Sequence, residues 1–273
     1  MSRRVLITGG ASGLGAALAA QLAARGDRVL VTDLAPSYDV PEGPGSPERY
    51  LRLNVTSDGD WEAARAWVER EWGGLDLLVN NAGIATGGRI DVATIEEWWE
   101  VVDINLLGVV RGCRTFTPML KAQGSGQIVN TASLAGLVHP PAMASYTAVK
   151  AGVVALSETL AYELAPWGIA VSAVCPGFFR TNLAASLHGS DAALDKIAAR
   201  LIDRSKLDAT QVAREVIKGI DGRRMVILPD PLARRTWLTK RFARPLYDRA
   251  QRRFGARIRA ITTRSTEDNG DKS

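Results

Sequence analysis

Tyr146 and Lys150 stand four residues apart in an Ala-rich helical stretch, and that spacing puts both on one face. A phenol normally loses its proton near pH 10, and a lysine ammonium beside it favours the phenolate. Such a pair can exchange a proton near neutral pH, as a general acid or base. Ser133 precedes Tyr146 by thirteen residues, just beyond an apolar strand, and is placed to donate to an oxygen on which charge develops. Asn105 lies within a long helical stretch, and Asn80-Asn81-Ala82-Gly83 follows another apolar strand. Several polar groups therefore fall near the ends of strands, where open α/β sheets bind ligands.

A second cluster is suited to phosphate. Thr8-Gly9-Gly10-Ala11-Ser12-Gly13-Leu14-Gly15 lies between a strand and a helix. Small residues there let the backbone approach a diphosphate, and the helix N-terminus supplies N–H donors. The next strand ends in Asp33, which can accept hydrogen bonds from ribose hydroxyls and would repel a 2′-phosphate. Neither Ser12 nor Leu34 is basic. This combination favours NAD over NADP.

The elements that carry these residues alternate. Strands are read at Val5–Ile7, Arg28–Asp33, Tyr50–Leu53, Leu75–Val79, Gln127–Asn130, Ile169–Val174 and Met225–Leu228. Helices are read over Ala16–Ala24, Trp61–Trp72, Ile95–Lys121 (bent near Asn105 or Gly108), Ser145–Ala165, Leu183–Ile202 and Thr210–Ile220. Strands alternating with helices at this rhythm predict an α/β fold with a seven-stranded parallel sheet covered on both faces. Residues 1–228 form a single catalytic domain in this reading, 229–261 a helical extension, and 262–273 a polar disordered tail.

Composition excludes several other classes. The chain has 273 residues, 46% hydrophobic and 23% charged, which excludes wholesale disorder. Cys113 and Cys175 are too few for a disulfide framework, and with His139 and His188 they make no metal site. No metal is expected. No apolar run reaches 18 residues and no signal-like start is present, so the expected compartment is the cytoplasm. The net charge of +5 hides an asymmetry: residues 223–264 hold thirteen Arg or Lys and two acids, or +11, leaving −6 elsewhere.

Together these motifs resemble the short-chain dehydrogenase/reductase family, in its common subtype of about 250 residues, over roughly residues 3–228. The match lies in Thr8, Gly9, Gly13 and Gly15; in Asn81, Ala82 and Gly83; in Asn105, Ser133, Tyr146 and Lys150; and in Pro176-Gly177 with Thr181. The resemblance implies a Rossmann-type doubly wound sheet and hydride exchange between a nicotinamide and a substrate carbon. It makes Asn105, Ser133, Tyr146 and Lys150 a catalytic tetrad. Tyr146 moves the proton, Ser133 holds the same oxygen, Lys150 lowers the tyrosine pKa and binds ribose, and Asn105 holds a water leading to Lys150. The cofactor-binding set is Gly9, Ser12, Gly13, Leu14, Gly15, Asp33, Leu34, Asn54, Val55, Asn81, Ala82, Gly83, Tyr146, Lys150, Pro176, Gly177, Phe179 and Thr181. The family often has Asp where this chain has Asn54, whose amide oxygen is expected to take over the adenine contact. The resemblance also implies a homodimer or homotetramer, with helices 101–121 and 146–165 at one interface.

The expected substrate pocket holds Leu134, His139, Met143, Phe178, Leu183 and Leu187, joined by Leu137 and Pro140, with segment 183–206 as a lid. This apolar set suits a hydrophobic secondary alcohol or ketone. Two alternatives stand beside that activity: a 3-ketoacyl-carrier-type reductase, which usually uses NADPH and so conflicts with Asp33, and a non-catalytic NAD-binding sensor. In the extension, Leu238, Phe242, Leu246, Ala250, Phe254 and Ile258 recur every four residues among arginines, with a break or kink at Pro245. The stripe can pack on the body or a neighbouring subunit, or rest peripherally on a membrane. Nucleic acid is the third partner considered, without any recognition motif to support it.

Overall fold

Seven short strands, each carrying a short unbroken apolar run, build the centre of the molecule. The computed structural model describes residues 2–40, 43, 45–181 and 189–270. The strands are β1 (Arg4–Thr8), β2 (Arg28–Asp33), β3 (Arg49–Arg52), β4 (Leu77–Asn80), β5 (Gly126–Thr131), β6 (Ile169–Val174) and β7 (Val226–Ile227). All are parallel, in the order β3-β2-β1-β4-β5-β6-β7. The chain reverses its direction of sheet growth between β1 and β4. A crevice opens there at the C-terminal strand ends, which is where such sheets hold ligands.

Successive side chains of β1 enter different layers, which is why no polar alternation marks the strand. Leu6 joins Leu30, Leu78 and Ile128 on one face, under α2 (Asp58–Trp72), α4 (Gly108–Gln123) and α6 (Ala144–Leu164). Val5 and Ile7 join Val29 and Val31 on the other, under α1 (Gly13–Ala24) and α8 (Ala209–Asp221). Trp61 and Phe116 are fully buried and meet edge to face.

The helical stretch read as bent near Asn105 resolves into three parts. These are α3 (Ile95–Val102), a π turn over Asp103–Leu107 and then α4. Thr94 and Glu97 start α3 with a reciprocal capping box. The π turn lets one extra residue into the helix, and such turns recur at functional sites. Two short helices complete the body, α5 (Ala135–Val138) and α7 (Ala192–Asp203). Residues 182–188, among them Leu183 and Leu187 of the expected pocket, lie outside the described residues.

After β7 the chain forms α9 (Pro231–Phe242) and α10 (Arg244–Gly270). Asp230 caps α9 through the Leu232 amide, and Pro231 takes the first helical position. The break falls at Ala243, and Pro245 stands in the first turn of α10, where its missing N–H costs nothing. The described helix continues to Gly270, past residue 261, where the sequence reading ended the extension. The apolar stripe does not form one buried face. Ala233, Tyr247 and Ile258 are buried, whereas Phe242 and Leu246 are exposed. A four-residue repeat turns by about 40° per step on a 3.6-residue helix, and the break shifts its phase again. Among the described residues, no helix is long and apolar enough to cross a membrane, and no three His, Cys, Asp or Glu side chains are grouped to hold a metal ion.

Candidate active site

The glycine turn after β1 is held by the loop after β4. The Thr8 hydroxyl accepts from the amides of Asn81 (2.9 Å) and Ala82 (3.0 Å), and the Asn81 amide group donates to Thr8 O (3.0 Å) and Gly9 O (3.2 Å). Gly13 has φ +54°, and a β-carbon there would stand 2.7 Å from the Thr181 hydroxyl. A β-carbon on Gly15 would stand 2.1 Å from Gly9 O, so only glycine lets α1 start this close to the turn. Gly15 is buried beneath the turn, and it alone of the expected cofactor set is absent from the cleft lining. Ser12 gives α1 no side-chain cap, which leaves the leading amides of the helix to other partners.

Asp33 closes β2 beside this turn. Its carboxylate accepts from the Ala11 amide at 3.0 Å and from the Leu34 amide at 2.7 Å. Asn54 lines the same cleft, but its Oδ1 already accepts from the Thr56 amide (3.1 Å) and hydroxyl (2.9 Å). The adenine contact anticipated for that oxygen would therefore compete with a local turn.

On the other side of β4 the reactive side chains converge. Ser133 leaves β5 and starts α5, where its hydroxyl also accepts from the Ala135 amide at 3.1 Å. Tyr146 and Lys150 lie on consecutive turns of α6, with Lys150 Nζ 5.7 Å from the tyrosine ring centre. Lys150 is buried and donates to Thr131 O at 2.9 Å. Burial lowers its pKa to about 8. Burial raises the Tyr146 phenol above its usual value, and a hydrogen bond with Ser133 pulls it part of the way back. The lowering of the tyrosine pKa expected from Lys150 is thus not what dominates here: desolvation acts on both groups and favours their neutral forms.

Asn105, fully buried in the π turn, does not line the cleft. It clamps the loop after β4. Its Oδ1 accepts from the Ile84 amide and its Nδ2 donates to Ile84 O, both at 2.9 Å. The neighbouring Gly83 is packed so closely that a β-carbon would stand 2.7 Å from Asn105 Oδ1 and 3.6 Å from Lys150 Nζ. Asn105 therefore reaches the site through Gly83 and Ile84.

One cleft of about 560 Å³ joins these parts. It is lined by Gly9, Ser12, Gly13 and Leu14, by Asp33 and Leu34, by Asn54 and Val55, and by Asn81–Gly83. Ser133, Tyr146, Lys150, Pro176, Gly177, Phe179 and Thr181 complete this end. Of the expected substrate residues, Leu134, Pro140, Met143 and Phe178 line it; Leu137 and His139 do not. His139 takes a left-handed conformation (φ 54°) that ends α5. Its Nε2 is 3.1 Å from Gly136 O and its Nδ1 2.8 Å from Lys240 Nζ, which fits a neutral ring donating to the carbonyl and accepting from the lysine. The wall of the cleft also contains Leu194, Ile197, Leu201 and Ile202 of α7, which fall within the segment 183–206 expected at the pocket, and Phe254 and Ile258 of α10, which the sequence reading did not place there. The last two are in the recurring stripe, the one signal that could have marked them.

Known proteins resemble this chain along most of its length. The short chain dehydrogenase family model matches residues 3–191. A 2-(R)-hydroxypropyl-CoM dehydrogenase of Xanthobacter autotrophicus is 35% identical over 226 residues, covering 80% of this chain and 90% of that protein. A 3-alpha-(or 20-beta)-hydroxysteroid dehydrogenase of Mycobacterium tuberculosis is 37% identical over 180 residues, 65% of this chain and 69% of the relative. Among solved structures, a short-chain dehydrogenase/reductase from Burkholderia phymatum in complex with NAD superposes with a TM-score of 0.81 at 30% identity, over 90% of this chain and 95% of that one. Known proteins thus match most of this chain, whose Tyr146, Ser133 and Lys150 share one cleft with the glycine turn, and the chain belongs to the short-chain dehydrogenase/reductase family of oxidoreductases.

Proposed function

We propose that the protein interconverts an apolar secondary alcohol and its ketone with NAD(H). The observation that carries this reading is the single cleft in which Tyr146, Ser133 and Lys150 meet the glycine turn and Asp33. The residues fit a dinucleotide. Gly9, Ser12, Gly13 and Leu14 would take the diphosphate, Asp33 and Leu34 the adenosine ribose, and Asn54 and Val55 the adenine. Asn81, Ala82, Gly83, Lys150, Pro176, Gly177, Phe179 and Thr181 would take the nicotinamide half. The Asp33 carboxylate, with no base at positions 12 or 34, supports NAD over NADP.

When bound, the nicotinamide supplies hydride exchange at the substrate carbon. Tyr146 gives a proton to the substrate oxygen in reduction and takes it back in oxidation. Ser133 donates a hydrogen bond to that oxygen as charge builds on it. With a pKa of about 8, Lys150 is mostly protonated at pH 7, so its charge still favours the phenolate form of Tyr146. Asn105 is a positioning residue that fixes Gly83 and Ile84. Leu134, Met143, Phe178 and Leu201 make the substrate end apolar, which supports a hydrophobic substrate.

Exposed Leu107 and Tyr162, on the helices expected at a subunit interface, support a homo-oligomer. Exposed Phe242 and Leu246, close in sequence to Arg241, Arg249 and Arg253, support a peripheral contact with anionic lipid.

Nicotinamide absorbance, followed with NAD and NADP against secondary alcohols, tests the reading. Turnover is expected with NAD and should fall by at least about a hundredfold in Tyr146→Phe. Faster turnover with NADP would refute the role given to Asp33. Unchanged turnover in Tyr146→Phe would refute the role given to the tyrosine.

A further inference from the structure

We propose that α10 is the outer wall of the substrate end of the cleft, and that Phe254 and Ile258 supply the apolar contact that favours longer substrates over shorter ones. This inference rests on the functional reading of the cleft. Both side chains line the cavity that also contains Tyr146 and Ser133. Ile258 is 6% exposed and Phe254 36%, so one faces inward and the other stands at the rim. They complete an apolar chamber with Leu194, Ile197 and Ile202 of α7, the helix on which α10 packs.

The extension that carries this wall is fastened to the segment between Ser133 and Tyr146, through Lys240 of α9 and Tyr247 of α10. The Tyr247 hydroxyl donates to Val138 O, and Lys240 Nζ donates to Leu137 O (2.5 Å) and to His139 Nδ1 (2.8 Å). These acceptors lie between Ser133 and Tyr146, in a segment where His139 (φ 54°) and Ala142 (φ 63°) adopt a conformation unfavourable for residues with side chains. Such a conformation persists only when its surroundings enforce it, and the extension supplies three of the hydrogen bonds that do so. The preference for longer substrates and the shape of this segment are thereby linked through one terminal extension.

The test uses the full chain with NAD and the series from 2-butanol to 2-decanol. In the wild type kcat/KM should rise with chain length as the tail reaches the wall. Loss of one methylene's contact in an apolar pocket changes discrimination by about 10–200-fold, and Phe254 at the rim belongs at the low end. Phe254→Ala should therefore lower kcat/KM for 2-decanol by about tenfold and leave 2-butanol within about twofold. Leu232→Ala, on the exposed side of α9, should change neither. A readout without turnover comes from Phe254→Cys, since Cys113 and Cys175 are both buried. Its reaction with N-ethylmaleimide should slow several-fold when NADH and 2-decanol are present together. Turnover with parallel length profiles in wild type and Phe254→Ala, or an unprotected thiol, overturns the inference alone. No turnover of any member of the series by the wild type overturns the functional reading and this inference with it.

Discussion

Replacing Asn105 with Ala separates two roles for this residue. It is fully buried and makes two hydrogen bonds of 2.9 Å, both to the backbone of Ile84. Removing them leaves one amide and one carbonyl without those partners. A buried group left unpaired costs about 1–3 kcal/mol, and Ile84 is only half-buried, so about 1–1.5 kcal/mol each is appropriate. The expected loss is about 2–3 kcal/mol, or roughly 5–10 °C in Tm for a domain of this size. Part of the loss appears as displacement of Gly83 and Ile84, and Gly83 faces Lys150 Nζ and the cofactor end of the cleft. A shift of about 1 Å there can cost on the order of a hundredfold in rate, so kcat/KM should fall by about 10–100-fold. NADH affinity should weaken along with it. Urea unfolding, NADH titration and initial rates measure the three quantities. If activity collapses while stability and NADH affinity stay at wild-type values, Asn105 acts in proton transfer and the clamp is not its role.

Two further outcomes follow from buried or half-buried bases. Lys150 has its pKa lowered to about 8 by burial, so the unfolded chain holds more protons between pH 8 and its ordinary value of 10.5. The burden of this buried charge is greatest below pH 8 and fades as pH rises towards 10.5. Lys150→Met should therefore be inactive yet more stable at pH 7 by about 1–3 kcal/mol, with the gain shrinking above pH 8; equal stability at both pH values would refute it. His139 is lowered first by burial and then by Lys240, with Arg244 adding to the effect. The neutral ring is thus favoured by folding, and stability should decline as pH falls below the ordinary value of 6.5. Limited proteolysis within residues 244–261 should accelerate below pH 6.5 in the wild type and lose that pH dependence in His139→Gln.

What was legible in the sequence is what local pattern determines. Apolar runs such as Arg28–Asp33 and Ile169–Val174 matched strands residue for residue, because a strand buried on both faces needs no distant context to be recognised. The glycine turn was legible because close backbone approach at Gly13 and Gly15 restricts the residue type. Whether His139 belongs to the pocket or to a surface loop was not legible, because its partner Lys240 lies 101 residues downstream and only the folded loop turns the ring away from the cleft. The stripe holding Phe254 and Ile258 was visible, but periodicity says that a face is covered and not by what. Asn105 was found by type and spacing, whereas its contacts with Ile84 depend on a π turn that no local pattern specifies.

The two rims of the sheet carry a consequence for the protein's behaviour at high concentration. An edge strand is a template for a strand from another molecule, and long flat edges promote aggregation. Here the rims are β3, with arginine at both ends, and β7, which pairs over two residues between Arg224 and Pro229. Charge at one rim, and brevity with a following proline at the other, leave little backbone for a stray chain to join. Crowding should therefore drive this protein to associate through its helices before its sheet.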